Sequence, residues 1–114
     1  MTPPEIMNGL AAKNRLLTAK NEEYVQLAEK KAQAERDYNV EVRLKTMALR
    51  SSGEPVTIIT TLVKGDELVA KLYFDFCVAA AVERACLESI KDLRSQIDTY
   101  RSLLSWLKAE LQSQ

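Results

Sequence analysis

The strongest constraint on the fold is an apolar heptad repeat that runs from Val69 to Leu111. One row repeats every seven residues and is interrupted only by Glu83: Val69, Phe76, Ile90, Ile97, Leu104 and Leu111. A second row lies three residues further on: Leu72, Ala79, Cys86, Leu93, Tyr100 and Leu107. Rows that alternate by three and four residues are the a and d positions of a coiled-coil seam. The repeat therefore predicts a long helix that packs against another helix.

Gly and Pro residues divide the chain into two long helices and a short elbow. Gly53 suits the left-handed residue that ends a helix, and Pro55 cannot continue one. Asp66 is a favourable N-cap for the helix that follows. We therefore predict one domain over residues 1–114, with a helix over about residues 5–50, an elbow over about 51–65 and a second helix over about 66–112.

The elbow itself is open to two interpretations. Most of residues 56–63 are β-branched, which is typical of a strand. Against this, Pro55 lies where the first turn of a helix accepts proline, and a lone strand would have no partner. We expect a short helix, and a short connection between two long helices makes an antiparallel hairpin the default arrangement. The predicted fold class is thus all-α, a coiled-coil-like hairpin with a helical elbow at its tip.

Apolar surface beyond the seam predicts self-association. Two facing helices bury one stripe each, but the second helix and the elbow have further apolar residues. A homodimer forming a four-helix bundle would cover them; the alternative is that the elbow folds back over them within one chain. The candidate oligomer or partner interface comprises Phe76, Tyr73, Ala80, Leu87, Ile58, Ile59, Leu62 and Trp106.

Two of the singled-out residues have competing interpretations. Trp106 lies off the seam, where it could anchor a protein partner or pack against a neighbouring subunit. Glu83 is the one charged residue in its seam row. We expect Lys30 or Lys31 of the first helix to lie within reach of its carboxylate. A polar seam residue fixes helix register at a cost in stability, and no second carboxylate or His accompanies Glu83 for catalysis. We therefore interpret Glu83 as a register residue.

The composition argues against most catalytic chemistry. There is no His, which removes His-dependent nucleophiles and imidazole metal ligands. The three Gly residues stand apart, so no phosphate-binding loop is present. We expect no enzyme activity, no catalytic residue, no metal site and no cofactor.

The cysteines and the hydropathy indicate a cytoplasmic protein outside the membrane. Cys77 and Cys86 are nine residues apart in one predicted helix, a rise of roughly 13 Å that exceeds disulfide reach. Reduced thiols are typical of the cytoplasm. The longest apolar run, residues 76–82, is too short to cross a membrane.

Rows of basic residues leave nucleic-acid binding open as an alternative. Arginines repeat every seven residues on the first helix, and basic residues do so on the second: Arg36, Arg43 and Arg50, then Arg94, Arg101 and Lys108. Such rows could contact phosphates. Acidic residues are interleaved with them, which favours an ordinary solvated helix face.

Three segments resemble small, uncharacterised helical-hairpin proteins encoded by prophages of Gram-positive bacteria. They are Ala34-Glu-Arg-Asp-Tyr38, the turn Gly53-Glu-Pro-Val56 and Lys64-Gly-Asp66. The resemblance implies a phage accessory or assembly factor that acts through an unidentified protein partner. The alternative is an accessory protein of phage replication or recombination that contacts nucleic acid.

Overall fold

The structure, a computed structural model, describes residues 1–113 and contains three helices. They are α1 over Pro3–Ser51, α2 over Val56–Lys64 and α3 over Glu67–Gln112. Among the described residues there is no strand. α1 packs against α3 as an antiparallel hairpin, and α2 forms the elbow between them. The predicted all-α hairpin with a helical elbow is confirmed.

Local hydrogen bonds explain where α1 begins and ends. The Glu5 amide donates to the Thr2 hydroxyl and the Thr2 amide donates to the Glu5 carboxylate, which is a capping box. At the other end Gly53 has a φ of 83°. The amide of Gly53 donates to the Arg50 carbonyl and that of Glu54 to the Leu49 carbonyl. This Schellman motif stops the helix where the Gly-Pro pattern predicts it.

The start of α3 depends on Asp66. Its Oδ2 atom accepts a hydrogen bond of 3.1 Å from the Val69 amide, as expected of an N-cap. Its Oδ1 atom lies 3.5 Å from Nζ of Lys45 on α1. This hydrogen bond from the Val69 amide is the main cause that lowers the pKa of Asp66, with Lys45 adding to the effect.

The described chain forms two compact units, each made of one segment of α1 packed against one segment of α3. We call Gln26–Glu83 the elbow unit. Its core contains Ile59, Val63 and Val69, with half-buried side chains of α1 packed around them: Tyr38, Val42 and Leu49. Because α2 is helical, Ile59 and Val63 lie one turn apart on the side that faces this core.

The second unit, which we call the open-end unit, comprises Met1–Val25 and the chain from Arg84 onward. Its core consists of buried seam residues of α3 and of Ile6 on α1. The heptad repeat does not identify Ile6. The buried seam residues are Cys86, Ile90, Leu93 and Ile97. Leu111, the last member of the seam, is 66% exposed, so the packed part of the seam ends before it.

Candidate interaction surface

An exposed side of α3 in the elbow unit bears a patch of large apolar side chains. Phe74, Val78 and Val82 are 66%, 46% and 45% exposed, respectively. We call these three residues the α3 patch. Their spacing of four residues places them along one side of the helix. A shallow groove of about 320 Å³ runs beside the patch and is lined also by Leu27 of α1.

Four of the predicted interface residues lie at the surface. Ile58 and Leu62 are each 42% exposed on α2, Tyr73 is 50% exposed on α3, and Trp106 is 63% exposed near the end of α3. They belong to different units, because Ile58, Leu62 and Tyr73 lie in the elbow unit and Trp106 lies in the open-end unit.

The other predicted interface residues are covered to differing degrees by the chain itself. Ile59 is buried in the core of the elbow unit, because α2 folds back onto the hairpin. Phe76 is half-buried and stacks on Tyr38, with 6.4 Å between the ring centroids and 15° between the planes. Ala80 and Leu87 are half-buried. The elbow thus buries its own Ile59 against the hairpin, and the α3 patch stays exposed.

Sequence reasoning missed Phe74 and Val82 as surface residues. Both residues lie outside the two seam rows and outside the flank that contains Tyr73. A search for apolar residues spaced by four outside the seam finds Phe74, Val78 and Val82 directly.

A pocket of about 540 Å³ lies in the elbow unit and is lined by all three helices. We call it the elbow pocket. Its apolar lining comes mainly from valines and tyrosines, and Lys64 also lines it. The lining includes Tyr38, Val42, Val63, Val69, Tyr73 and Lys64. Thr46 and Thr60 add hydroxyl groups.

Aromatic contacts form one end of the elbow pocket. The rings of Tyr38 and Tyr73 have centroids 5.3 Å apart and are tilted by 53°. This is a favourable geometry for an aromatic pair. A hydrogen bond with the Cys77 side chain raises the pKa of Tyr73.

Glu83 makes the contact expected of a seam carboxylate. Its Oε2 atom lies 3.0 Å from Nζ of Lys31, and its side chain is 12% exposed. Of the two lysines that the sequence offered as partners, Lys31 therefore forms this ion pair. Both residues belong to the elbow unit. The pair fits the register role predicted for Glu83.

The basic rows are exposed along their whole length. All six residues are at the surface: Arg36, Arg43, Arg50, Arg94, Arg101 and Lys108. The arginines of α1 lie in the elbow unit and the basic residues of α3 lie in the open-end unit. Arg94 and Arg101 line one shallow cavity of about 310 Å³. Acidic neighbours are close, since Asp98 lies 4.0 Å from Arg101 and Asp37 lies 3.9 Å from Arg36.

Residues that could support other chemistry are few in the described part of the chain. Cys77 is exposed and Cys86 is buried, and neither forms a disulfide. Within residues 1–113 no group of three or more His, Cys, Asp or Glu side chains is placed to hold a metal ion. In the same range no helix is both long and apolar enough to span a membrane.

Comparison with known proteins adds no relative to this picture. No family model matches the chain, and no curated protein or solved structure shows significant similarity to it. The candidate surfaces therefore have to be interpreted from their own geometry and chemistry.

Proposed function

We propose that this chain is a non-enzymatic, self-associating helical protein that acts by binding protein, as a phage accessory or assembly factor. The observation that supports this proposal is the α3 patch, because three large apolar side chains share one exposed side of α3. Burying one such side chain fully contributes about 1.5–3 kcal/mol. The phage role rests on the sequence resemblance alone.

A homodimer is the simplest assembly that covers the α3 patch. In a two-fold dimer the α3 patch of one copy packs against the α3 patch of the other copy. Each patch then buries the other, and no further partner is needed. Two hairpins joined through α3 would form a four-helix bundle. The chain itself covers Ile59 and Val63, whereas the α3 patch stays exposed and is available to a second copy.

Sedimentation equilibrium across micromolar concentrations tests the assembly. We expect a dimer for the wild-type chain and a monomer for the double variant Phe74→Asp with Val78→Asp. The control is Val25→Asp, which places one such charge on a valine of α1 that is 58% exposed. This control should remain a dimer. A monomeric wild-type chain at every concentration would contradict self-association.

Nucleic-acid binding is the second candidate function, favoured by the full exposure of both basic rows. Arg94 and Arg101 line the same shallow cavity, so two guanidinium groups of α3 could contact adjacent phosphates. A gel-shift titration at low salt tests it. The double variant Arg43→Glu with Arg101→Glu should abolish binding if the rows contact phosphate. No binding by the wild-type chain, or equal binding by the variant, would exclude this function.

A further inference from the structure

We propose that the elbow pocket binds a small organic anion with an apolar body, with Lys64 pairing the anionic group. This site is separate from the proposed self-association. It lies beneath α2, whereas the α3 patch borders a different groove lined by Leu27.

The size and the walls of the pocket suit a small ligand. Its volume of about 540 Å³ falls within the range of roughly 300–1,000 Å³ that small-molecule pockets occupy. Val63 and Val69 belong to the core of the elbow unit, so this wall exists before any ligand binds. The rings of Tyr38 and Tyr73 form a second wall against which an apolar or aromatic body can pack.

The charge of the lining indicates the sign of the ligand. Among the described residues that line the pocket, Lys64 is the one charged side chain. The nearest carboxylate in sequence, Asp66, accepts the Val69 amide and lies 3.5 Å from Lys45. A carboxylate or sulfonate on the ligand would complement Lys64 in this largely apolar lining through a charge-assisted hydrogen bond.

The threonines offer secondary polar contacts. The Thr46 hydroxyl donates to the Val42 carbonyl at 2.7 Å, so its oxygen still has a lone pair to accept a hydrogen bond. Thr60 contributes a second hydroxyl from α2. A few polar groups within largely apolar walls are the usual composition of a small-molecule site.

Titration with two probes tests the proposal and distinguishes the two sources of such a ligand. Decanoate represents an aliphatic, lipid-derived acid and 2-naphthoate an aromatic acid. Each is titrated against the full chain while the methyl resonances of Val42, Val63 and Val69 are followed by NMR. We expect saturable shifts of these methyl groups with at least one probe, and the probe that binds more tightly identifies the source.

Two variants with matched controls localise the site. Lys64→Gln should weaken binding about tenfold, the loss expected from removing one charge-assisted hydrogen bond. Ala70→Phe should abolish binding, because Ala70 lines the pocket from an exposed position of α3 and a ring there fills the cavity. The controls Lys71→Gln and Ala81→Phe make the same changes at exposed positions of α3 outside the pocket lining and should bind as the wild-type chain does.

The neutral analogue 2-naphthamide adds a test of charge. To the wild-type chain, 2-naphthamide should bind more weakly than 2-naphthoate. To the Lys64→Gln variant, the two compounds should bind with equal affinity. Absence of binding by both acids, or binding unchanged by Lys64→Gln and Ala70→Phe, would overturn the proposal. These results do not depend on the oligomeric state, so failure here and failure of self-association are separate outcomes.

Discussion

Gly9 lies directly beneath the ring of Tyr100 in the open-end unit. A Cβ atom on Gly9 would come within 2.8 Å of three atoms of the Tyr100 side chain, which is closer than van der Waals contact allows. The absence of a side chain at this position therefore lets an aromatic ring pack against the backbone of α1. Ordinary helix propensity would instead favour alanine there by about 1 kcal/mol.

The contact makes the effect of Gly9→Ala depend on Tyr100. In the wild-type chain we expect Gly9→Ala to give no gain in the free energy of unfolding, because the ring must move away. In a Tyr100→Leu background the same change should stabilise by about 1 kcal/mol. Urea unfolding of the four chains in this cycle measures the coupling. Additive effects of the two substitutions would contradict the contact.

Asp66 should make the stability of the fold sensitive to acid. The pKa of Asp66 is lowered in the folded chain, first by the Val69 amide. Its contribution is therefore fully present above the ordinary carboxyl pKa and is lost as the pH falls through the lower folded value. We expect the Asp66→Asn variant to lose less stability than the wild-type chain between pH 5 and pH 2. Thermal unfolding at a series of pH values measures the difference.

The control for the acid prediction is Asp92→Asn, on the exposed side of α3. This variant should follow the wild-type pH dependence. If Asp66→Asn shows the same acid slope as the wild-type chain, the N-cap hydrogen bond does not contribute as the structure indicates.

The cap itself was predictable from sequence, because an Asp that follows Lys-Gly and precedes a long helix has few other roles. The packing of Tyr100 on Gly9 was not predictable from sequence, because it depends on which residues of α1 and α3 come to lie opposite each other.

α2 shows the limit of sequence reasoning at the scale of a single element. Its helical state could be predicted from the Pro and Asp residues that flank it, despite its β-branched composition. Its buried side could not. Ile58 and Leu62 have the same spacing as Ile59 and Val63, so two apolar pairs compete for the hairpin. The structure buries Ile59 and Val63, and the packing around Tyr38 and Val69 decides the choice.

Neighbouring isoleucines of α2 should therefore respond very differently to truncation. Ile59→Ala truncates a core side chain and should lower the free energy of unfolding by about 2–4 kcal/mol. Ile58→Ala changes a side chain that is 42% exposed and should cost less than about 1 kcal/mol. Chemical denaturation of the two variants compares them. Equal losses would mean that α2 does not pack with this side inward.

The ion pair of Lys31 and Glu83 links the two long helices within the elbow unit. Nζ of Lys31 and Oε2 of Glu83 are 3.0 Å apart, so Lys31→Glu and Glu83→Lys each bring like charges together. Each variant should lower the free energy of unfolding by about 1–2 kcal/mol. The double variant restores opposite charges and should recover most of that loss. Urea unfolding measures all four chains. A double variant as unstable as the sum of the single variants would show that the two side chains do not interact.

For the whole molecule, the question is what covers the apolar surface that the fold leaves outside. The heptad repeat was sufficient to predict the packed side of α3, since every buried residue of that helix lies on the seam. The α3 patch was not identified, because hydrophobic periodicity along the seam gives no information about residues on the opposite side. Burial has to be measured residue by residue to find that Phe74 is more exposed than Tyr73.

A dimer joined through the α3 patch should unfold at a temperature that depends on protein concentration. Mass action stabilises a dimer as its concentration rises, by about 2.7 kcal/mol for a hundredfold increase. For a dimer of two chains of this size that corresponds to a rise in Tm of about 6 °C. The Phe74→Asp with Val78→Asp variant should show no such rise. Differential scanning calorimetry at several concentrations measures both, and a wild-type Tm independent of concentration would contradict the dimer.

The different burial of the two cysteines gives the protein a built-in reporter. Cys77 is exposed on α3, one residue before Val78, whereas Cys86 is buried with its sulfur 3.7 Å from the Lys20 carbonyl. A maleimide spin label will therefore react at Cys77 in the native chain and leave Cys86 unmodified, without any cysteine being removed. Dipolar spectroscopy on such singly labelled protein yields one intermolecular distance, which restrains how close the two α3 helices of associated copies lie at this position.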